Sequence, residues 1–220
     1  SQCTTGTVNI TVNPVNDAPT LNAIGNQTVL LGNSLSFTAV GSDIDLPAQT
    51  LSYSLTGVVP SGATINASSG VFSWTPTAGQ AGQIHTLTVR VTDNGSPALH
   101  ADQQFTVGVG YAWSNLLAPV VAGGVYKRGR TIPIQFQLTG ASAGVTDAVI
   151  KLLVFKVSDS VVGDAMDVQS TSAATTGNVF LYENGEYVYN LNTSGLSAGT
   201  YQLQVDMGDG VLRAVNISLR

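Results

Sequence analysis

Charge is what this sequence has least of. Only 10% of its 220 residues are Asp, Glu, Lys or Arg, against about 25% in an average globular chain. The shortage is not that of a disordered chain, because 43% of the residues are hydrophobic and disorder needs low hydrophobicity with high net charge. The net charge of −5 and the eight Lys and Arg residues leave one tight basic group, Lys127-Arg128-Gly129-Arg130, so a duplex nucleic acid is repelled and is excluded as a partner. There is a single cysteine, Cys3, which rules out an internal disulfide; a free terminal thiol is its ordinary reading. No apolar run approaches the ~20 residues that a transmembrane helix needs, so no membrane span is expected. Two histidines and one cysteine provide no zinc spacing. No segment keeps a helical period beyond two turns, so no glycine loop opens a helix to cradle phosphate.

What is present instead is Thr, Ser, Asn and Gly between short alternating apolar runs. The stretch Gly6–Pro19 sets the frame. Val8, Ile10 and Val12 fall on one face and Thr7, Asn9, Thr11 and Asn13 on the other, which predicts a strand. Pro14-Val15-Asn16-Asp17-Ala18-Pro19 follows as an extended connector, held by two prolines. A lone strand is not stable in water. The expectation is that Val8, Ile10 and Val12 form an interaction strand, paired to a neighbouring repeat of a longer chain or to another copy.

From Pro19 onward, apolar residues alternate on Leu35, Phe37 and Ala39, on Leu51, Tyr53 and Leu55, on Leu87, Val89 and Val91, and on Phe105, Val107 and Val109. Turn chemistry separates these runs, glycine supplying positive φ and Asn or Asp closing local hydrogen bonds. Roughly seven short strands in about 90 residues predict a β-sandwich. A second unit begins near Tyr111. Ile132, Ile134, Phe136 and Leu138 alternate, and Val149–Val157 reads as a central strand covered on both faces. Two hairpins are expected, around Glu183-Asn184-Gly185-Glu186, whose Asn-Gly suits a type I′ turn, and around Gly208-Asp209-Gly210. Ser158–Gly177 reads as a frayed strand and a long loop. The expected fold is all-β: two tandem antiparallel β-sandwiches, residues 17–110 and 111–220, preceded by a lone strand and linker in residues 1–16.

Four acids stand at strand ends: Asp17 in the connector, Asp43 and Asp45 after the strand ending at Val40, and Asp93 after the strand ending at Val91. In a sandwich with Ig-like strand order, all four fall at the pole facing the connector. Grouped carboxylates repel unless a cation joins them, and Ca²⁺ takes six to eight oxygens from carboxylates, amides and carbonyls. The competing reading is of turn aspartates that accept backbone N–H bonds and hold no ion.

Asn16-Asp17-Ala18-Pro19, Asp43-Ile44-Asp45 and Val91-Thr92-Asp93-Asn94-Gly95-Ser96-Pro97-Ala98-Leu99 resemble the linker, DxD and xDxGxPxL elements of cadherin-type repeats. Phe72–Gly82, FSWTPTAGQAG, resembles bacterial putative-Ig and cadherin-like domains. The resemblance covers about residues 17–110. It implies an Ig/cadherin-like fold and an interdomain Ca²⁺ held by Asp43, Asp45 and Asp93, with an oxygen from Asn16. The Asp-Arg-Glu element of other cadherin sites is missing, Trp74-Thr75-Pro76 standing near its place, so one ion at most is implied. Val125–Gly140, VYKRGRTIPIQFQLTG, is similar to the PxKF domain of bacterial extracellular proteins, with Gln135 where that name has Lys. This likeness spans about residues 111–220 and implies a secreted Ig-like domain without known activity.

No enzyme constellation accompanies these features. His85 lies in a predicted strand. His100 and Asp102 could be drawn into a triad, but no nucleophile elbow goes with them. Glu183 and Glu186 flank a turn with no cleft. Three functions remain open: a non-enzymatic spacer or adhesive module of a bacterial surface or secreted protein; a filament subunit that donates residues 6–13 to the edge of the next copy's sheet; and a module that binds a host or matrix glycan or protein through Tyr111, Trp113, Tyr126, Tyr182, Tyr187, Tyr189 and Tyr201.

Overall fold

In the computed structural model, residues 15–172 and 177–220 are described. The predicted strand carrying Val8, Ile10 and Val12 lies outside them. The first half runs β1 (Thr20–Leu21), β2 (Gln27–Leu30), β3 (Leu35–Thr38), β4 (Gly41–Ser42), β5 (Ser52–Thr56), β6 (Thr64–Ile65), β7 (Val71–Trp74), β8 (Gln83–Thr92) and β9 (His100–Gly110). The second runs β10 (Val125–Tyr126), β11 (Thr131–Phe136), β12 (Lys151–Ser158), β13 (Val161–Met166), β14 (Leu181–Glu183), β15 (Glu186–Asn192), β16 (Gly199–Asp206) and β17 (Ala214–Leu219). The helical content of the described residues is two three-residue 3₁₀ turns, Ala78–Gln80 and Gly140–Ser142.

In the first half, the sheet β2-β9-β8-β5 packs on β3-β7-β6, with β1-β4 as a short ladder beside them. The alternation read from the sequence is the reason. Leu87, Val89 and Val91 of β8 and Phe105, Val107 and Val109 of β9 all point inward and are buried. Between the layers Phe37 stacks on Phe72 at 4.8 Å, and Phe105 meets both edge-on, at 5.3 and 5.9 Å, a geometry that suits the ring quadrupoles. Trp74 seals one end, its indole N–H donating to the Ser61 carbonyl.

In the second half, β10-β17-β16-β12-β13 packs on β11-β15-β14. Phe136 stacks on Tyr187 at 5.4 Å and meets Phe180 edge-on. Among the described residues all ladders are antiparallel except two: β2 on β9 and β10 on β17, where an edge strand from the early part of each half lies parallel to its last strand. Among the described residues, no strand of residues 20–110 is in a sheet with one of residues 125–219.

Both expected hairpins form. Asn184 and Gly185 take φ of 51° and 90° between β14 and β15, the two positive values that a type I′ turn requires. β16 and β17 pair on either side of the Gly208-Asp209-Gly210 turn. One expectation changes. The Val149–Val157 strand begins at Lys151 and is covered on one face only: Ile150, Leu152 and Val154 are buried, Leu153, Phe155 and Val157 are half-buried, and Val149 is 69% exposed. It is central in its sheet, between β16 and β13, but no second layer covers its outer side chains. In the weakly patterned stretch after Ser158, β13 pairs along β12 with a register shift between Phe155 and Val157. It is the frayed strand expected there, and all but Met166 of its residues are exposed, so no clean alternation marks it.

Candidate functional site

The connector residues Val15–Pro19 end at the pole of the first sandwich formed by the loops after β4 and β8. Asp93 closes the second loop. Its Oδ1 accepts the backbone N–H groups of Gly95 at 3.0 Å and Leu99 at 2.9 Å, the side-chain-to-backbone bonding that short acids offer in turns. Its Oδ2 accepts Asn16 Nδ2 at 3.1 Å, and the same amide group donates to the Pro97 carbonyl at 3.0 Å. Asp93 is 4% exposed. Burial pushes its carboxyl up, but the Leu99 and Gly95 N–H groups and the Asn16 amide together outweigh that and hold it below the usual carboxylate range.

The other loop joins from the opposite side. Asp43 Oδ1 accepts the Asp45 N–H at 2.9 Å, and Asp45 Oδ2 accepts the Asp17 N–H at 3.0 Å. Gln49 ties the two loops to the connector, its Nε2 donating to Asp45 Oδ2 at 2.8 Å and to Asn16 Oδ1 at 2.5 Å. Thr50 N–H donates to Asn94 Oδ1. Gly95 lets the Asn16 carboxamide approach its backbone, since a Cβ there would displace that side chain.

Asn16, Asp43, Asp45 and Asp93 therefore sit in one hydrogen-bonded cluster, with Asp17 attached through its backbone rather than its carboxylate. Gln49 is the member that sequence reading missed. Within the cluster, Asp43 Oδ2 and Gln49 Oε1 are buried with no hydrogen-bond partner. Among the described residues, no group of three or more His, Cys, Asp or Glu side chains is placed to hold a metal ion. The centre of the cluster is occupied by amide N–H groups of Asn16 and Gln49 set between oxygens.

Residues 18–110 match the family of the Putative Ig domain. No curated protein matches the chain. Among solved structures, the protocadherin gamma B2 extracellular cadherin domains 3–6 align at 19% identity and a TM-score of 0.38, over 93% of this chain and 52% of that one. Immunoglobulin domains 1–4 of Sidekick-1 align at 15% identity and a TM-score of 0.38, over 92% and 48%. Human CDH23 EC21-23 aligns at 17% identity and a TM-score of 0.37, over 94% and 65%. The chain thus spans about half the length of the first two.

The other candidate residues of this chain fall to structural roles. Asp102 is gripped by Arg90, Nε to Oδ1 and Nη2 to Oδ2, both at 2.7 Å across β8 and β9, so it orients no histidine. His85 packs edge-on against Trp74, with its Nε2 2.8 Å from the Gln80 carbonyl. Tyr187, Tyr189 and Tyr201 are buried in the second sandwich, with their hydroxyls donating to the carbonyls of Val145, Val168 and Ser197. They are core, not a binding face. No helix of the described residues is long and apolar enough to cross a membrane.

Proposed function

We propose that the chain is a non-enzymatic structural module of an extracellular protein, with residues 17–110 and 111–220 as two sandwiches joined into a stiff, adhesive or spacing element of a bacterial surface or secreted protein. The observation that supports this best is the absence of slack at the join. β9 runs to Gly110, and backbone bonding resumes at once: Ala112 N–H donates to Ser142 Oγ at 3.1 Å, Thr139 N–H to the Ala112 carbonyl at 2.8 Å, and Ser114 N–H to the Gln137 carbonyl at 2.9 Å. Trp113 bridges to Leu138. A linker whose backbone groups are taken up residue after residue has none of the freedom of a Gly/Ser spacer. The test is a spin-label distance measurement between Ser69→Cys and Asp164→Cys, both exposed sites, in a Cys3→Ser background. A single narrow distance distribution is expected; a broad one would overturn the spacer reading.

A calcium ion at the connector pole is the finer reading, and the two partnerless oxygens favour it. Asp43 Oδ2 and Gln49 Oε1 are buried acceptors without donors, a costly arrangement unless something else approaches them. Asp43, Asp45 and Asp93 with Asn16 and Gln49 would hold the ion, which supplies the charge that the amide N–H groups only partly offset. Calcium titration followed by calorimetry tests this, with Asp43→Asn as the variant expected to abolish the heat.

A further inference from the structure

The tip of the β16–β17 hairpin belongs by chain to the second sandwich, yet it is buried against the first. Gly108 and Gly110 alternate with the core residues Val107 and Val109, so they lie on the outer face of β9. Such a face ordinarily carries polar side chains turned to water, and glycine within a strand costs stability while it marks a close approach of another backbone. That backbone is the hairpin tip. A Cβ on Gly108 would collide with the Asp209 carbonyl oxygen, and one on Gly110 with Asp209 Oδ2. Gly208 fits against the Gly82 carbonyl just ahead of β8, while Gly82 in turn faces the Met207 carbonyl and the Tyr111 hydroxyl, at 3.0 and 2.9 Å from where its Cβ would stand.

Asp209 is 2% exposed and takes no hydrogen bond from the first sandwich among those described. Its charge is met from within its own turn: Arg213 Nη1 lies 2.8 Å from Oδ1 and Nη2 2.6 Å from Oδ2, and the Val211 N–H donates to Oδ1. The Arg213 guanidinium lies 5.9 Å from the Trp113 ring centre, within range of a cation–π attraction, so the pair is also anchored to the linker. The turn is thus shaped by its own ion pair before it meets the glycine face.

We propose that the Met207–Arg213 turn is a metal-independent latch: seated in the notch made by Gly82, Gly108 and Gly110, it fixes the angle between the two sandwiches. The latch goes beyond the spacer reading, which needs a stiff joint but not this one. The notch cannot admit a side chain, so filling it unseats the turn and leaves each sandwich intact. The spin-label pair at positions 69 and 164 reads the outcome, with excess EDTA present. The parent protein should give one narrow distribution; Gly110→Ala should shift and broaden it, and Thr106→Val, on the same outer face nearer the start of β9, should leave it unchanged. Near-ultraviolet circular dichroism verifies the fold, and if Gly110→Ala misfolds, Asp209→Asn decides the matter, since it keeps the turn's shape but loosens its ion pair and should broaden the distribution. A narrow parent distribution that neither variant alters overturns the latch while leaving the spacer reading standing. A parent distribution that is broad with and without calcium overturns both, and one that narrows only when calcium replaces EDTA overturns the latch alone.

Discussion

Arg213 holds Asp209 with two nitrogens on two oxygens, at 2.8 and 2.6 Å, and both side chains are almost wholly withdrawn from water. A buried pair of this kind contributes modestly against an apolar replacement, but breaking it strands a charge. Asp209→Ala is therefore expected to cost about 3–5 kcal/mol of unfolding free energy. The double variant Asp209→Ala, Arg213→Met removes the stranded guanidinium and should recover much of that loss. Urea denaturation of the three proteins checks both statements, and a single variant as stable as the parent would contradict the first.

Two buried carboxyls, Asp93 and Asp209, give the fold a defined acid response. Burial pushes the Asp209 carboxyl up, but the Arg213 guanidinium and the Val211 N–H outweigh it, and Asp93 is lowered for the reasons given above. A carboxyl whose folded pKa is depressed contributes stability that is fully present above its unfolded value of about 4. That contribution is lost as pH falls through the lower folded value. The melting temperature is therefore expected to hold from neutral pH down to about 5 and to decline below about 4. Asp209→Asn should melt lower at neutral pH and show a shallower acid decline. Thermal melts across that range decide it; equal slopes for variant and parent would count against the assignment.

Much of the architecture was legible because alternation is a local signal. Val89 and Phe105 announce their inward face through their i±2 neighbours, and Asn184-Gly185 announces its turn through backbone conformation alone. That Asp17, Asp43, Asp45 and Asp93 share one pole followed from strand ends meeting there, while Asn16 came only from the cadherin resemblance. The seating of the β16–β17 turn against the joint was not legible. Gly108-Val109-Gly110 reads as the close of a strand, and Gly208-Asp209-Gly210 as an exposed turn, because each is defined by the other and lies far from it in the chain. Gln49 was missed for a related reason: nothing near it in sequence shows that its amide reaches both Asn16 and Asp45. The strand after Ser158 was legible only as a frayed one, because its residues are nearly all exposed, which erases the alternation that marks a half-buried strand.

The β14–β15 hairpin offers a purely backbone prediction. Gly185 has φ of 90° and nothing within 4 Å of where a Cβ would sit, so an added methyl group meets no neighbour and any cost is conformational. Gly185→Ala is expected to destabilise the protein by about 1–2 kcal/mol, the penalty for a Cβ in a left-handed conformation. Asn184→Gly, at φ of 51°, should be close to neutral, since both residues accept that region. Chemical denaturation separates the two. An alanine variant as stable as the parent would mean that the turn relaxes to another type without loss.

The connector pole provides the last test, because its two readings differ in what calcium does to the melt. If the Asn16 and Gln49 amides are the pole's permanent partners, no ion contributes to the folded state, and EDTA leaves the melting temperature unchanged. If the pole takes calcium, the ion binds the folded state alone and stabilises it in proportion to RT ln(1 + [L]/Kd), about 2.7 kcal/mol at a hundredfold excess over Kd. Asp43→Asn distinguishes the two cases. It removes the carboxylate charge and puts an amide NH₂ at the partnerless Oδ2 position while keeping the Oδ1 contact to the Asp45 N–H. The calcium reading therefore expects a calcium-dependent rise in melting temperature for the parent and none for Asp43→Asn, with the two proteins melting together in EDTA. A parent melt indifferent to both calcium and EDTA assigns the pole to hydrogen bonding alone.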